Sequence, residues 1–98
     1  MRSVNVTEVP EDAQLIDVRE PDEYAQGHAR GAINIPMSEF VGRIGEISTE
    51  RDVYLICKLG GRSRECGEYL EQARGGERVI NVEGGTEAWR ERGLPIVE

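Results

Sequence analysis

Cys57, Lys58, Leu59, Gly60, Gly61, Arg62 and Ser63 follow directly on an apolar run, Val53, Tyr54, Leu55 and Ile56. That order carries a thiol into a glycine loop and then into a helix. A thiol reacts as its thiolate, and an ordinary cysteine of pKa ~8.5 is only about 3% ionised at pH 7. The loop holds several remedies. Gly60 and Gly61 let the backbone curl so that successive N–H groups point inward as an anion-binding nest. A helix beginning near Arg62 adds its positive end, and the guanidinium adds a fixed cation. If these lowered the pKa by ~2 units, thiolate would be about three quarters of the population at neutral pH. Ser63 can cap the helix or donate to a bound anion, and Lys58 and Arg64 make the surroundings basic, which suits a small dianion. No general base adjoins Cys57, and a thiolate ionised by its surroundings needs none to begin a reaction.

Such a loop needs a sheet behind it. Apolar segments at 13–18, 32–35, 53–56 and 79–82 read as strands buried on both faces, and Val4, Asn5 and Val6 alternate as a short edge strand would. Pro10, Glu11 and Asp12 make a turn. Helix-length segments separate the strands. Pro21 with Asp22 and Glu23 fits the first turn of a short helix that Gly27 ends. Ser38 is expected to cap a second helix with Phe40, Val41, Ile44 and Ile47 on one face, weakened by Gly42 and Gly45. After Arg62, Cys66, Tyr69, Leu70 and Ala73 recur at i, i+3, i+4 and i+7 and predict a core face, and Gly75 and Gly76 end that helix. Gly84 and Gly85 turn the chain into a last helix over 86–92 that carries Trp89, with Gly93 at its end and Pro95 beyond. Strands alternating with helices imply right-handed crossovers and a parallel sheet covered on both faces, with ligands beyond the carboxyl ends of the strands. Asp17, Cys57 and Gly84 each follow a strand, so three strand ends meet at one edge.

Composition narrows the partners. A chain of 98 residues suits one domain, 1–98, expected to be a monomer or weak dimer. Its 19 acidic and 12 basic side chains give a net charge of -7, which argues against nucleic acid or an anionic membrane surface. No apolar run approaches the ~20 residues that cross a bilayer, and the start lacks the apolar segment of a signal peptide, so a cytoplasmic protein is expected. Two cysteines with His28 fall short of a four-ligand zinc site, so no metal is expected. Several residues read most simply as structure. Cys66 lies on the predicted core face, His28 sits at a turn, Asp17 and Arg19 form a buried ion pair, and Trp89 anchors the core beneath the loop. Gly67 inside a helix costs ~1 kcal/mol relative to alanine, which close packing would explain.

Five motifs occur in order: Asp17-Val18-Arg19 with Glu23-Tyr24; Gly27-His28; Gly31-Ala32-Ile33-Asn34-Ile35-Pro36; the Cys57 to Ser63 loop; and Glu83-Gly84-Gly85 with Trp89 and Gly93-Leu94-Pro95. With them the chain resembles the single-domain rhodanese, or thiosulfate sulfurtransferase, family over nearly its whole length. The resemblance implies an α/β fold, a five-stranded parallel sheet flanked by helices on both faces. It implies that Cys57 is the catalytic sulfur carrier and that Lys58, Leu59, Gly60, Gly61, Arg62 and Ser63 bind the substrate. By that analogy Cys57 attacks the outer sulfur of thiosulfate, releases sulfite and holds a persulfide. A thiophilic acceptor, such as cyanide, a thiol or a protein cysteine, then removes the sulfur. The partners implied are a small anionic sulfur donor and such an acceptor, and no cofactor is required.

Two alternatives carry other chemistry. Phosphatases and arsenate reductases related in fold also use a cysteine loop ending in arginine, but with one residue more between the two; here four intervene, Lys58, Leu59, Gly60 and Gly61. The shorter ring favours sulfur. A sulfur-relay or regulatory binding module with little turnover is the other reading, and retention of Cys57, Arg62 and both glycines counts against a purely regulatory one. Ala29 stands where the family often has a larger aliphatic residue, and Lys58-Leu59 replaces the commoner basic-then-small pair, which leaves the acceptor preference open.

Overall fold

The computed structural model describes residues 1–98. β1 (Arg2–Asn5) and β2 (Gln14–Asp17) lead into α1 (Pro21–Ala25), followed by the short strands β3 (His28–Ala29) and β4 (Ile33–Asn34). Then come α2 (Phe40–Arg43), β5 (Val53–Ile56), α3 (Gly61–Arg74), β6 (Val79–Glu83), α4 (Gly85–Glu91) and β7 (Ile96–Val97). The main sheet has five strands in the order β1-β6-β5-β2-β4, every pairing parallel, as the alternation of strands and helices predicts. β3 and β7 form a separate antiparallel ribbon. No helix is long and apolar enough to cross a membrane.

β5 lies at the middle of the sheet, and all four of its residues are buried. Because side chains alternate across a strand, successive residues feed two different cores. Ile16, Val53, Leu55 and Val79 face α3 and pack with Phe40, Cys66 and Leu70; Leu15, Tyr54, Ile56, Ile80 and Val82 face the other side and pack with Trp89 of α4 and Tyr24 of α1. The same alternation puts Cys57, one residue past β5, on the α3 side. It puts Asn81 there as well, since its neighbours Ile80 and Val82 belong to the opposite core.

Two helical expectations change. The segment after Pro36 is not one helix: 3₁₀ turns at Met37–Glu39 and Ile44–Glu46 flank the single α-turn of α2. Two glycines in so short a span leave too little to hold a regular helix. Ser38 does not cap it. Its hydroxyl donates instead to Glu20 at 2.8 Å, and Val41 is 60% exposed, so only Phe40 and Ile47 of the expected face are buried. In α3 the buried stripe is Ser63, Cys66, Gly67 and Leu70, whereas Tyr69 and Ala73 are exposed. The stripe keeps the i, i+3, i+4, i+7 spacing but starts at a serine, which an apolar pattern overlooks. Gly67 is a contact point on that stripe: a Cβ there would meet the Met1 side chain, with Val79 and Leu55 at 3.4 and 3.5 Å.

Asp17 and Arg19 form the expected buried pair. The guanidinium donates through Nε and Nη2 to the carboxylate at 2.9 to 3.2 Å and through Nη2 to the Gly27 carbonyl at 2.8 Å. Asn34 Nδ2 donates to the carbonyls of Asp17 and Arg19, which ties β4 to the end of β2. His28 stacks on Tyr24 with ring centroids 3.7 Å apart, and its Nδ1 lies 2.9 Å from the Tyr24 carbonyl, a framework arrangement.

Candidate active site

β5 stops at Ile56 and the chain turns sharply at Gly60, whose φ of 113° lies in the left-handed region that suits glycine. That turn aims the Gly60 N–H back at Cys57 Sγ, 3.0 Å away. Ser63 Oγ lies 3.3 Å from the same sulfur. α3 then starts at Gly61, so the loop is the N-terminal turn of the longest helix in the chain. Cys57 itself is buried, while Lys58 and Leu59 are exposed, Leu59 by 67%. The sulfur is thus enclosed, and the two residues that follow it put one basic and one apolar side chain on the surface.

A second glycine clamps the loop from α4. Thr86 N–H donates to the Cys57 carbonyl at 2.8 Å and Glu87 N–H to the Lys58 carbonyl at 3.1 Å, and the Thr86 hydroxyl adds a bond of 3.0 Å to Cys57. Loop carbonyls thus satisfy N–H groups that the start of a helix leaves without internal partners. Gly85 makes this approach possible: its φ is 59°, and a Cβ would stand 2.5 Å from the carbonyl oxygens of Cys57 and Lys58. Gly85→Ala should therefore lower stability by about 2 kcal/mol or more and displace the loop. A urea melt that matches wild type would contradict this clamp.

Burial pushes the Cys57 thiol up, but hydrogen bonds from the Ser63 hydroxyl and from the N–H groups of Ser63, Gly60 and Leu59 outweigh it and hold the thiol below its ordinary value. Cys66 goes the other way, pushed up to about 12 by burial and then by the neighbouring Cys57 and Glu65 charges. Both cysteines are free. In a pH titration the thiolate absorbance should therefore appear at Cys57 first, on the acid side of an ordinary thiol, and that early step should vanish in Cys57→Ser.

The expected cations are arranged differently. Arg62 does not stand free beside the sulfur: Glu23 of α1 takes it bidentately, at 2.8 and 3.0 Å. That guanidinium holds the Glu23 carboxyl at about 2, well below the usual range. Arg64 is paired with Glu83 at 2.7 Å. Lys58 makes no ion pair and is the uncommitted positive charge of the loop. The thiolate is favoured chiefly by hydrogen bonds, and Arg62, already held by Glu23, interacts with it less, which corrects the emphasis on a fixed cation.

The structure brings Cys57, Gly60 and Ser63 into contact and leaves Lys58 and Leu59 facing solvent. It also adds residues that the motifs passed over. Glu23 is Arg62's partner, Thr86 and Gly85 hold the loop, and Asn81 accepts from the Ser63 hydroxyl at 2.6 Å. A polar residue inside the apolar run Val79, Ile80, Asn81, Val82 was the available signal, because a buried amide requires partners.

The family model for the Rhodanese-like domain matches residues 6–92. The chain belongs to the rhodanese family. A sulfurtransferase of Allochromatium vinosum is 45% identical to this rhodanese-like chain over 87 residues, covering 89% of it and 80% of the relative. Three further curated relatives are longer, and the chain spans 60, 37 and 42% of their lengths. The crystal structure of a rhodanese-related protein from Thermoplasma volcanium superposes with a TM-score of 0.89 at 35% identity, over 99% of this rhodanese-like chain and 98% of the other. An NAD-dependent persulfide reductase from A. fulgidus matches at a TM-score of 0.74 and 33% identity, over 90% of this chain and 16% of that one.

Proposed function

We propose that the protein is a sulfurtransferase that carries a sulfane sulfur on Cys57, from thiosulfate or a related small anionic donor to a thiophilic acceptor. The observation that carries the proposal is the enclosed Cys57 sulfur, with the Gly60 N–H aimed at it from 3.0 Å and the Ser63 hydroxyl oxygen 3.3 Å away. Charged sulfur in a nearly water-free cradle needs such partners. The Cys57 thiolate attacks the outer sulfur of thiosulfate. A new S–S bond forms, the S–S bond of thiosulfate breaks, and its electron pair leaves with sulfite. Cyanide, a thiol or a protein cysteine then attacks the outer sulfur of the Cys57 persulfide, and the bonding pair returns to Cys57. No external oxidant or reductant enters, and no cofactor is needed. Release of sulfite from thiosulfate together with formation of thiocyanate tests the proposal, and absence of both would refute it.

The sulfurtransferase relative supports this chemistry, and the likeness to part of a persulfide reductase supports a sulfur-carrying role. Lys58, Leu59, Gly60, Gly61, Arg62 and Ser63 would form the donor's binding loop. Glu23 sets a condition on it, because a dianion that uses Arg62 must compete with a carboxylate already bonded there. The pair is partly exposed, so its release is worth only a modest factor. Glu23→Gln is expected to lower the KM for thiosulfate about two- to fivefold with little change in kcat. An unchanged KM would mean that Arg62 does not touch the donor. A relay between proteins, with slow turnover on free thiols, is the second reading, favoured by the exposed Leu59 at the rim, where an apolar patch of a partner could seat.

A further inference from the structure

Ser63 Oγ has three acceptor neighbours and a single hydrogen to give. Asn81 Oδ1 lies at 2.6 Å, the Gly60 carbonyl oxygen at 3.2 Å and Cys57 Sγ at 3.3 Å. Both oxygens can only accept, so the shortest contact is the Ser63 hydroxyl donating to Asn81. Its lone pairs are then free to face Cys57 and to receive the S–H of the neutral thiol. The amide's orientation is fixed in turn, because Asn81 Nδ2 donates to the Gly60 carbonyl at 3.3 Å. Exchanging Oδ1 and Nδ2 would set two oxygens against each other. Asn81, Ser63 and Cys57 are all buried, so water cannot replace a partner that is lost.

We propose that Asn81 is a positioning residue that sets the ionisation of Cys57 through the Ser63 hydroxyl, holding that hydroxyl as an acceptor for the thiol. When Cys57 releases its proton to solvent, the hydroxyl can serve the thiolate only by turning its hydrogen away from Asn81. A bond to a thiolate is the stronger of the two, but a buried amide oxygen left without a donor offsets the gain. Once Cys57 carries a second sulfur, the charge moves to the outer atom and the hydroxyl can return to Asn81. Asn81 therefore favours the sulfur-loaded cysteine over the bare thiolate, a consequence that rests on the sulfur-transfer reading above.

The other charged or titratable groups around Cys57 are the same in every variant compared. They are Arg62 of α3 paired to Glu23 of α1, Arg64 of α3 paired to Glu83 of β6, the Asp17–Arg19 pair after β2, Lys58 in the loop and Cys66 of α3. The experiment is a thiolate-absorbance titration of wild type, Asn81→Leu, Ser63→Ala and the double variant, each checked for folding by far-ultraviolet circular dichroism. Asn81→Leu is expected to lower the Cys57 pKa by about one unit, a roughly tenfold rise in thiolate fraction at pH below both values. In the Ser63→Ala background the same substitution is expected to shift it by less than about 0.3 unit. An unchanged or higher pKa in Asn81→Leu, or an equal shift without Ser63, would overturn the proposal. Where Asn81→Leu does not fold, Asn81→Ala is titrated instead: a fall of about one unit that disappears in the Ser63→Ala background supports the proposal, and an unchanged or higher pKa overturns it. Ionisation is read here without any sulfur donor, so a protein that forms no persulfide would refute the sulfur-transfer reading and leave this result standing.

Discussion

Cys57→Ser is expected to bring sulfur transfer from thiosulfate to cyanide down to background while leaving the fold in place. The serine hydroxyl is not ionised at neutral pH, and an oxygen cannot form the S–S bond on which the proposed cycle turns. Folding should be nearly unaffected. The hydroxyl can still accept from Gly60 N–H and meet Ser63, which now lie 3.0 and 3.3 Å from the sulfur, so no buried group is orphaned. A stability change within about 1 kcal/mol is expected. The readouts are thiocyanate formation and a urea melt on the same sample. Activity near wild type in a folded Cys57→Ser protein would remove Cys57 from the reaction altogether.

Arg19→Ala is expected to have the largest effect on stability, a loss of about 3–5 kcal/mol. Asp17 is fully enclosed, and its carboxylate is balanced by Arg19 through Nε, Nη2 and the backbone N–H at 2.9 to 3.2 Å. Taking away the guanidinium leaves a charge in the interior and also strips the Gly27 carbonyl of its donor. A loss of that size approaches the whole margin of a small domain, about 5–15 kcal/mol. Arg19→Lys should not restore it, because one ammonium cannot present the planar fork that spans both carboxylate oxygens and the Gly27 carbonyl. Replacing both partners with apolar residues, Asp17→Leu with Arg19→Met, should recover part of the loss. Urea midpoints of the four proteins decide it. A loss under about 1 kcal/mol for Arg19→Ala would show that the pair behaves as a surface bridge does.

Legibility from the chain differed by the kind of interaction. The sheet was plain, because strands buried on both faces must be apolar runs, and Leu15 to Val18, Val53 to Ile56 and Val79 to Val82 are such runs. The reactive loop was plain for a similar reason: Gly60 and Gly61 after a strand-end cysteine leave few backbone paths, and the observed path turns an N–H onto the sulfur. The core face of α3 was displaced, since Ser63 and Gly67 are buried without being apolar, one held by hydrogen bonds and the other by close contact with Met1. The helix expected from Ser38 failed because Gly42 and Gly45 interrupt it and Glu20 takes the Ser38 hydroxyl. Pairings between distant charges were not legible at all. Glu23 and Arg62 are 39 positions apart, and nothing local to either says that the loop's guanidinium is already occupied.

Mass spectrometry of the protein after treatment with thiosulfate, followed by removal of excess donor and peptide mapping without reductant, tests the central claim most directly. The account predicts a gain of one sulfur atom on the peptide carrying Cys57, lost on addition of cyanide with formation of thiocyanate. An unmodified Cys57 peptide, or a disulfide joining Cys57 to Cys66 in place of the added sulfur, would contradict it.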